Sequence, residues 1–381
     1  MASPSNAIVY HQVSPDNDAD EHTEFNTLDF TLIEDGRKMI PNTFRLDFEV
    51  ETDTDGAGTI MTNERISLDH KIGGHVFIDS YQVEFQSKGI VENLQDAPRW
   101  HASHAAAALD TGDFFTSKYQ AEGRQPVATS SSPVLQQVGG KSSASSSHKK
   151  NPSFSLKPLI CLNRMNAQEG DGYSFSKNGY IRVSCNLSRT AQALYGVNLA
   201  AASAYKLKNV TVRFASMPDN GKSELMMLKS TIAIKSTISS TQASVLARVP
   251  SQACSGVVVN FLEQAREADR RHNSNALEKF PQFSEVEYLF NNANNKAVTY
   301  PITDEGEAVR RGVQALNEAG GMTTCNADKL AANDGYILGL DFDEFLDLSK
   351  QKFTMNIKSD HNAMSAQPRL VYMYFQNMFE M

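Results

Sequence analysis

From Leu28 onward the chain alternates short apolar runs with polar turns, the period-two pattern of strands with one face buried. Phe30–Ile33, Phe44–Phe48, Val76–Ile78 and Val83–Phe85 predict early strands, punctuated by Asp55-Gly56 and Gly73-Gly74. The pattern returns over 154–162, 180–187, 205–214, 225–238, 245–249, 286–290, 297–302, 336–340, 353–357 and 370–375. Three helices are predicted between these strands. Pro98–Leu109 opens with a proline suited to a first helical turn, continues in alanines and stops before Gly112. Phe261–His272 has helical composition and mixed charge, as a solvated surface helix does. Thr303–Asn317 has Thr303 as N-cap, Asp304 and Glu305 behind it and Gly320-Gly321 beyond its end.

Two stretches fall outside this pattern. Residues 1–27 carry Asp16, Asp18, Asp20, Glu21 and Glu24, with no Lys or Arg before Arg37, which predicts a flexible acidic arm. Residues 123–152 are rich in serine and glycine and read as a long surface loop. Closing such a loop costs roughly 3 kcal/mol, which a large domain tolerates. The spacing of elements suggests a duplication. Val83-Glu84-Phe85 and Val286-Glu287-Tyr288 lie about 203 residues apart, and Leu109 and Leu316 about 207. Tyr180–Val183 and Phe353–Asn356 are only about 173 apart, a deficit that the serine-rich insertion explains. The expected fold is all-β with a few helices: two tandem eight-stranded jelly rolls, antiparallel sandwiches over 28–200 and 202–381.

Composition narrows the function. With 40% hydrophobic and 21% charged residues, the 381-residue chain can bury a core in each half. Its 36 Lys and Arg against 44 Asp and Glu give a net charge of −8, which disfavours direct binding of bare nucleic acid unless a local basic patch overrides the average. Cys161, Cys185, Cys254 and Cys325 show no C-x-x-C spacing, consistent with a reduced protein folded inside a cell. Neither a signal peptide nor a membrane-spanning apolar run is expected.

The search for chemistry gives weak candidates, each with a simpler structural explanation. Gly139-Gly140-Lys141-Ser142 imitates the end of a phosphate loop, but Leu135 stands where the first glycine is needed. His101 and His104 share a helix face without a third ligand, so a packed pair is the simpler reading. Asp16, Asp18 and Asp20 alternate as in a calcium loop, yet Glu21 replaces its glycine and Thr27 its final glutamate. Asp341, Asp343, Glu344 and Asp347 could supply paired acids, but a solvated loop is the simpler reading. Trp100, the sole tryptophan, is expected in the core, with an interface role as the alternative. In the apolar run Arg369–Met381, a buried strand accounts for the first half, and Met378 and Phe379 are candidates for a partner contact. No catalytic, cofactor-binding or metal-binding residue is assigned.

The passage His75–Leu94, His-Val-Phe-Ile-Asp-Ser-Tyr-Gln-Val-Glu-Phe-Gln-Ser-Lys-Gly-Ile-Val-Glu-Asn-Leu, continues to Pro98-Arg99-Trp100. It resembles the strand, turn, strand and helix of the first jelly roll in double jelly-roll major capsid proteins of tailless icosahedral viruses. These include bacteriophages with an internal membrane and, more distantly, adenovirus. The resemblance spans about 28–381 by pattern. It implies a non-enzymatic coat subunit of a virion, folded in the host cytoplasm, that forms homotrimers of pseudo-hexagonal outline. Implied partners are neighbouring capsomers, penton or minor capsid proteins and an underlying viral membrane, with no direct contact to nucleic acid and no cofactor. Two alternatives are a receptor- or carbohydrate-binding jelly-roll spike and a hydrolase using the Asp341–Asp347 acids.

Overall fold

The computed structural model describes residues 8–17, 19–53, 67–108, 116–124, 152–166, 172–196, 204–221, 226–292, 299–316, 327–332, 335–361 and 364–380. The first part of the chain supplies β1 (Val9–Val13), β2 (Glu21–Thr23), β3 (Thr27–Leu32), β4 (Arg37–Met39), β5 (Arg45–Asp53), β6 (Ile78–Phe85) and β7 (Gly89–Leu94). After the helix Ala97–Ala108 come β8 (Ser153–Leu156), β9 (Met165–Asn166), β10 (Tyr173–Ser174), β11 (Ile181–Leu187) and β12 (Ala204–Pro218). The second part supplies β13 (Met227–Ile238), β14 (Gln242–Ala247), β15 (Cys254–Glu263), β16 (Phe283–Asn292) and β17 (Thr299–Ile302). The helix Glu305–Ala315 precedes β18 (Leu338–Leu346), β19 (Gln351–Ser359) and β20 (Arg369–Glu380).

Strand order identifies the fold. In the second part β13-β20-β15-β18 run side by side in one sheet and β14-β19-β16-β17 in another. The first of these eight strands thus pairs with the last, the second with the seventh, the third with the sixth and the fourth with the fifth. That is a long hairpin rolled into a sandwich, the jelly roll. The first part follows the same frame: β3 pairs with β11, β5 with β8, and β6 lies between β11 and β7. Burial alternates where one strand face is wet, as in β11 and β19. Aromatic rings fill both interiors, Phe48, Phe77 and Phe154 in the first and Tyr288, Phe353 and Phe375 in the second.

The two sandwiches share one nine-stranded sheet, in which β7 meets β13. The strands that the sequence spacing equates are not equivalent here. Val83–Phe85 lies in the shared sheet and Val286–Tyr288 in the four-stranded one; by strand order β6 matches β15 instead. Nor does the change of sandwich fall at residue 202. β12 pairs with β5, β1, β2 and β4, so its fifteen residues extend the first sandwich.

Other elements also differ from expectation. The acidic arm is structured where it is described: β1 and β2 both pair with β12. Backbone pairing to an open strand edge needs no apolar side chains, so polarity gave no warning of it. Phe261–Glu263 continue β15 into a short 3-10 turn over Gln264–Arg266, because the buried Phe261 and Leu262 pair with β20. Gly73–Phe77 form a 3-10 turn in place of a strand start. At Gly73 (φ +55°) the backbone of Glu122 and Gly123 occupies the place of a side chain. The second helix is capped by Asp304, whose carboxylate accepts the Glu307 amide at 2.7 Å, and not by Thr303. The serine-rich loop from 125 to 151 lies outside the described residues.

Candidate functional site

The most elaborate chemistry in the chain lies at the seam between the sandwiches. Backbone pairing there is slight: one parallel register pair joins β13 to β7, and two join it to β9. Side chains carry the rest, and the helix Ala97–Ala108 supplies most of them. Along β20, Phe375 points into the second sandwich, 5.2 Å from Phe353, whereas Tyr372 and Tyr374 on the opposite face meet this helix. Both faces of β20 are therefore covered, which explains why its apolar residues do not alternate with polar ones.

Arg99 is 3% exposed and packs, from this helix, against the face of the second sandwich's sheet that carries Tyr372. Its Nε donates to Asn260 Oδ1 at 3.0 Å and its terminal nitrogens to the carbonyls of Ser274, Phe261 and Ala276 at 2.6, 2.7 and 3.0 Å. The guanidinium lies 4.4 Å from the Tyr372 ring centre. Asn260 in turn donates to Ser103 Oγ at 2.9 Å. Beside Arg99 in the same helix, Trp100 is fully buried, 5.4 Å from Tyr374 and 5.3 Å from the Arg164 guanidinium. The tryptophan thus belongs to the core, and that core lies between the halves.

Glu92 ties the seam from β7. One carboxylate oxygen accepts the Cys161 amide at 2.5 Å and the other the Thr231 amide of β13 at 2.9 Å. Burial pushes this carboxyl up to about 7, against the opposing pull of both amides and Arg164. Arg164 reaches Thr231 Oγ1 at 2.9 Å and Gln376 Oε1 at 3.0 Å. Gln376 Nε2 donates to the Ala315 carbonyl, which brings in the end of the second helix.

The residues singled out by sequence are placed apart. His101 is buried and stacks on His75 with ring centres 3.9 Å apart, while His104 lines a surface cavity with Lys118 and Arg164. Burial lowers the pKa of His101 and of His75. His75 faces Glu122 at 3.4 Å, and Arg124 pairs with the same carboxylate at 2.7 Å. Asp16 accepts from Thr31 at 2.8 Å, Asp20 is exposed, and Asp18 lies outside the described residues. Asp341 accepts the Asp343 amide at 3.1 Å and Asp347 the Ser349 amide at 3.0 Å, so both acids cap local turns. The Glu344 side chain, Cys325 and Gly139–Ser142 also lie outside the described residues. Cys161, Cys185 and Cys254 are buried free thiols; Cys185 sits opposite Leu28 and Tyr81, away from the seam that holds Cys161. Met378 and Phe379 continue β20 and pair with Lys229 and Leu228 of β13.

Sequence reasoning missed Arg99, Glu92 and Arg164 altogether. A charge embedded in an alanine-rich helix was the available signal for Arg99; nothing local marks the other two.

Comparison with solved structures decides the fold. The chain aligns over its full length with the Faustovirus major capsid protein, covering 91% of that chain at 8% identity and a TM-score of 0.57. It also aligns over its full length with the capsid of the virus PBCV-1, covering 95% at 9% identity and TM-score 0.61. With a chain of the Sputnik virophage the full-length match covers 87% at 9% identity and TM-score 0.58. The fold is the double jelly roll of viral major capsid proteins. No protein-family profile matches the sequence, and no curated protein matches it by sequence. The double jelly roll expected from the strand pattern is therefore borne out in the path of the backbone, at an identity of 8–9%. Both of its sandwiches, and the helix that joins them, fall inside each of these alignments.

Proposed function

We propose that this chain is a structural capsid subunit whose activity is assembly. The observation that carries the reading is the fused pair of sandwiches: one shared sheet, with a helix from the first half buried against the second. A subunit with two similar units held at a fixed angle lets three copies present six sandwiches, so that a homotrimer approximates a hexagon and packs side by side in a shell. The first unit in this reading ends after β12 and the second starts with β13. Neighbouring capsomers, penton or minor capsid proteins and an underlying membrane are the partners, and no catalysis is assigned. The net charge of −8 supports an indirect relation to the genome.

Light scattering coupled to size exclusion tests the trimer, with an expected mass near three times 42.0 kDa. Electron micrographs of the same fractions should show hexagonal outlines. A chain that stays monomeric at high concentration and forms no particles or arrays sinks the proposal.

A further inference from the structure

A cavity of about 360 Å³ opens in the first sandwich where residues 117–124, residues 157–165 and the start of β13 come together. Its wall carries Lys118, Arg124, Lys157, Arg164 and Lys229, with His104 beside them. Among the described residues Glu122 is the one carboxylate in this lining, and it is already engaged. It pairs with Arg124 at 2.7 Å, faces His75 at 3.4 Å and accepts the Lys157 amide at 3.2 Å. Although burial works against ionisation, His75 and Arg124 hold the Glu122 carboxyl down at about 2. One charged carboxylate thus faces five cationic side chains. Burial and the charges of Lys118 and Arg45 lower the pKa of Lys157, as crowding by like charges does.

The cavity wall is also built in advance. Asn42 and the backbone of Met165 exchange two hydrogen bonds at 3.1 Å, and Asn163 donates to the carbonyls of Phe44 and Pro158 at 3.0 and 2.9 Å. The Tyr119 ring lies 4.5 Å from the Lys118 ammonium and 5.0 Å from the Arg124 guanidinium, so it supports both.

We propose that this cavity binds a small phosphate-bearing anion of about the size of pyrophosphate or the phosphate tail of a nucleotide. Convergent ammonium and guanidinium donors suit phosphate oxygens, and the volume lies within the usual range for small-molecule sites. The donors come from separate stretches of chain, including β13, so the bound anion ties the second sandwich to the first and stabilises the folded state. The proposal stands apart from the capsid reading, because its readout needs no assembly.

The full chain is titrated with inorganic pyrophosphate by calorimetry and thermal shift, against sodium chloride at matched ionic strength. Flotation with phosphatidylcholine vesicles, with and without phosphatidic acid, runs in parallel. A saturable rise in Tm above the chloride control is expected. Lys157→Gln and Lys229→Gln should each weaken pyrophosphate binding by about tenfold, and Lys352→Gln on β19 should leave it unchanged. Lys118→Gln, at an exposed position, provides a further variant whose folding is not at risk. Pyrophosphate binding without vesicle capture assigns a free anion; capture that needs phosphatidic acid and is competed by pyrophosphate assigns a headgroup. The proposal is overturned if pyrophosphate matches chloride and no vesicles are captured. It is overturned equally if the folded Lys157→Gln/Lys229→Gln double variant binds as tightly as the parent.

Discussion

Replacing Arg99 with alanine tests the role of the seam directly. The substitution removes four donors at once and leaves Asn260 Oδ1 and the carbonyls of Ser274 and Ala276 without the partners that satisfy them, while the Phe261 carbonyl keeps the Glu278 amide at 3.2 Å. Each buried acceptor left unsatisfied costs about 1 kcal/mol at the lower end of the measured range, so the loss from these three is about 3 kcal/mol. That places it at the upper end of common single-residue effects. Trp100, the only tryptophan, sits next to Arg99 in the same seam and reports on it by fluorescence, while far-UV circular dichroism reports on the sheets. In urea, the Trp100 transition of Arg99→Ala should move about 1 M or more below the parent and precede the loss of sheet signal. Arg99→Lys should recover less than half of the loss, since an ammonium cannot reproduce the planar fork. If Arg99→Ala unfolds within about 0.2 M of the parent with coincident probes, the helix does not fasten the halves and the reasoning fails.

Two further substitutions probe the same frame. The Glu92 carboxyl is raised by burial from its ordinary 4.5 to about 7, so the native state binds its proton more tightly than the unfolded chain does. The associated stability is fully present below pH 4.5 and is lost as pH rises to about 7, a difference of about 3 kcal/mol. Glu92→Gln should flatten the stability profile over that window in urea titrations from pH 5 to 8; profiles parallel to the parent's would refute the assignment. At Gly312, an added Cβ would lie 2.6 Å from the Leu338 carbonyl carbon and 2.8 Å from the Ile337 oxygen. Gly312→Ala should therefore lower Tm through a loss of roughly 1–3 kcal/mol, although alanine favours helices. A rise in calorimetric Tm would show that the helix does not pack closely on β18.

Local signals made much of the fold readable. The alternation in Phe30–Ile33 and Phe44–Phe48 falls on β3 and β5, and the alanines after Pro98 mark the helix Ala97–Ala108. The jelly-roll class followed from the number of strands and their turns. What failed was anything set by distant partners. The polar segments that form β1 and β2 become strands because β12, about 200 residues later, offers them an edge. Phe261–His272 looked helical because its later residues are charged, while its start is fixed by pairing to β20. Matching Val83–Phe85 to Val286–Tyr288 compared similar letters in different sheets, since spacing is blind to which strand crosses to the other layer. The seam was hidden for a related reason: the acceptors of Arg99 lie more than 160 positions away in the chain.

The meeting of β7 with β13 has a mechanical consequence. With a single register pair there, the sheet is strong along each half and weak across the line between them, like paper scored for folding. The crease is stiffened by a few side chains, from the helix Ala97–Ala108, from Glu92 of β7 and from Arg164, not by a ladder of amides. Small substitutions at Arg99, Trp100, Arg164 or Glu92 can therefore reset the dihedral between the halves while each keeps its own hydrogen-bonded frame. If the chain tiles a curved shell as proposed, variants at these positions should change the radius of that shell while leaving either sandwich intact.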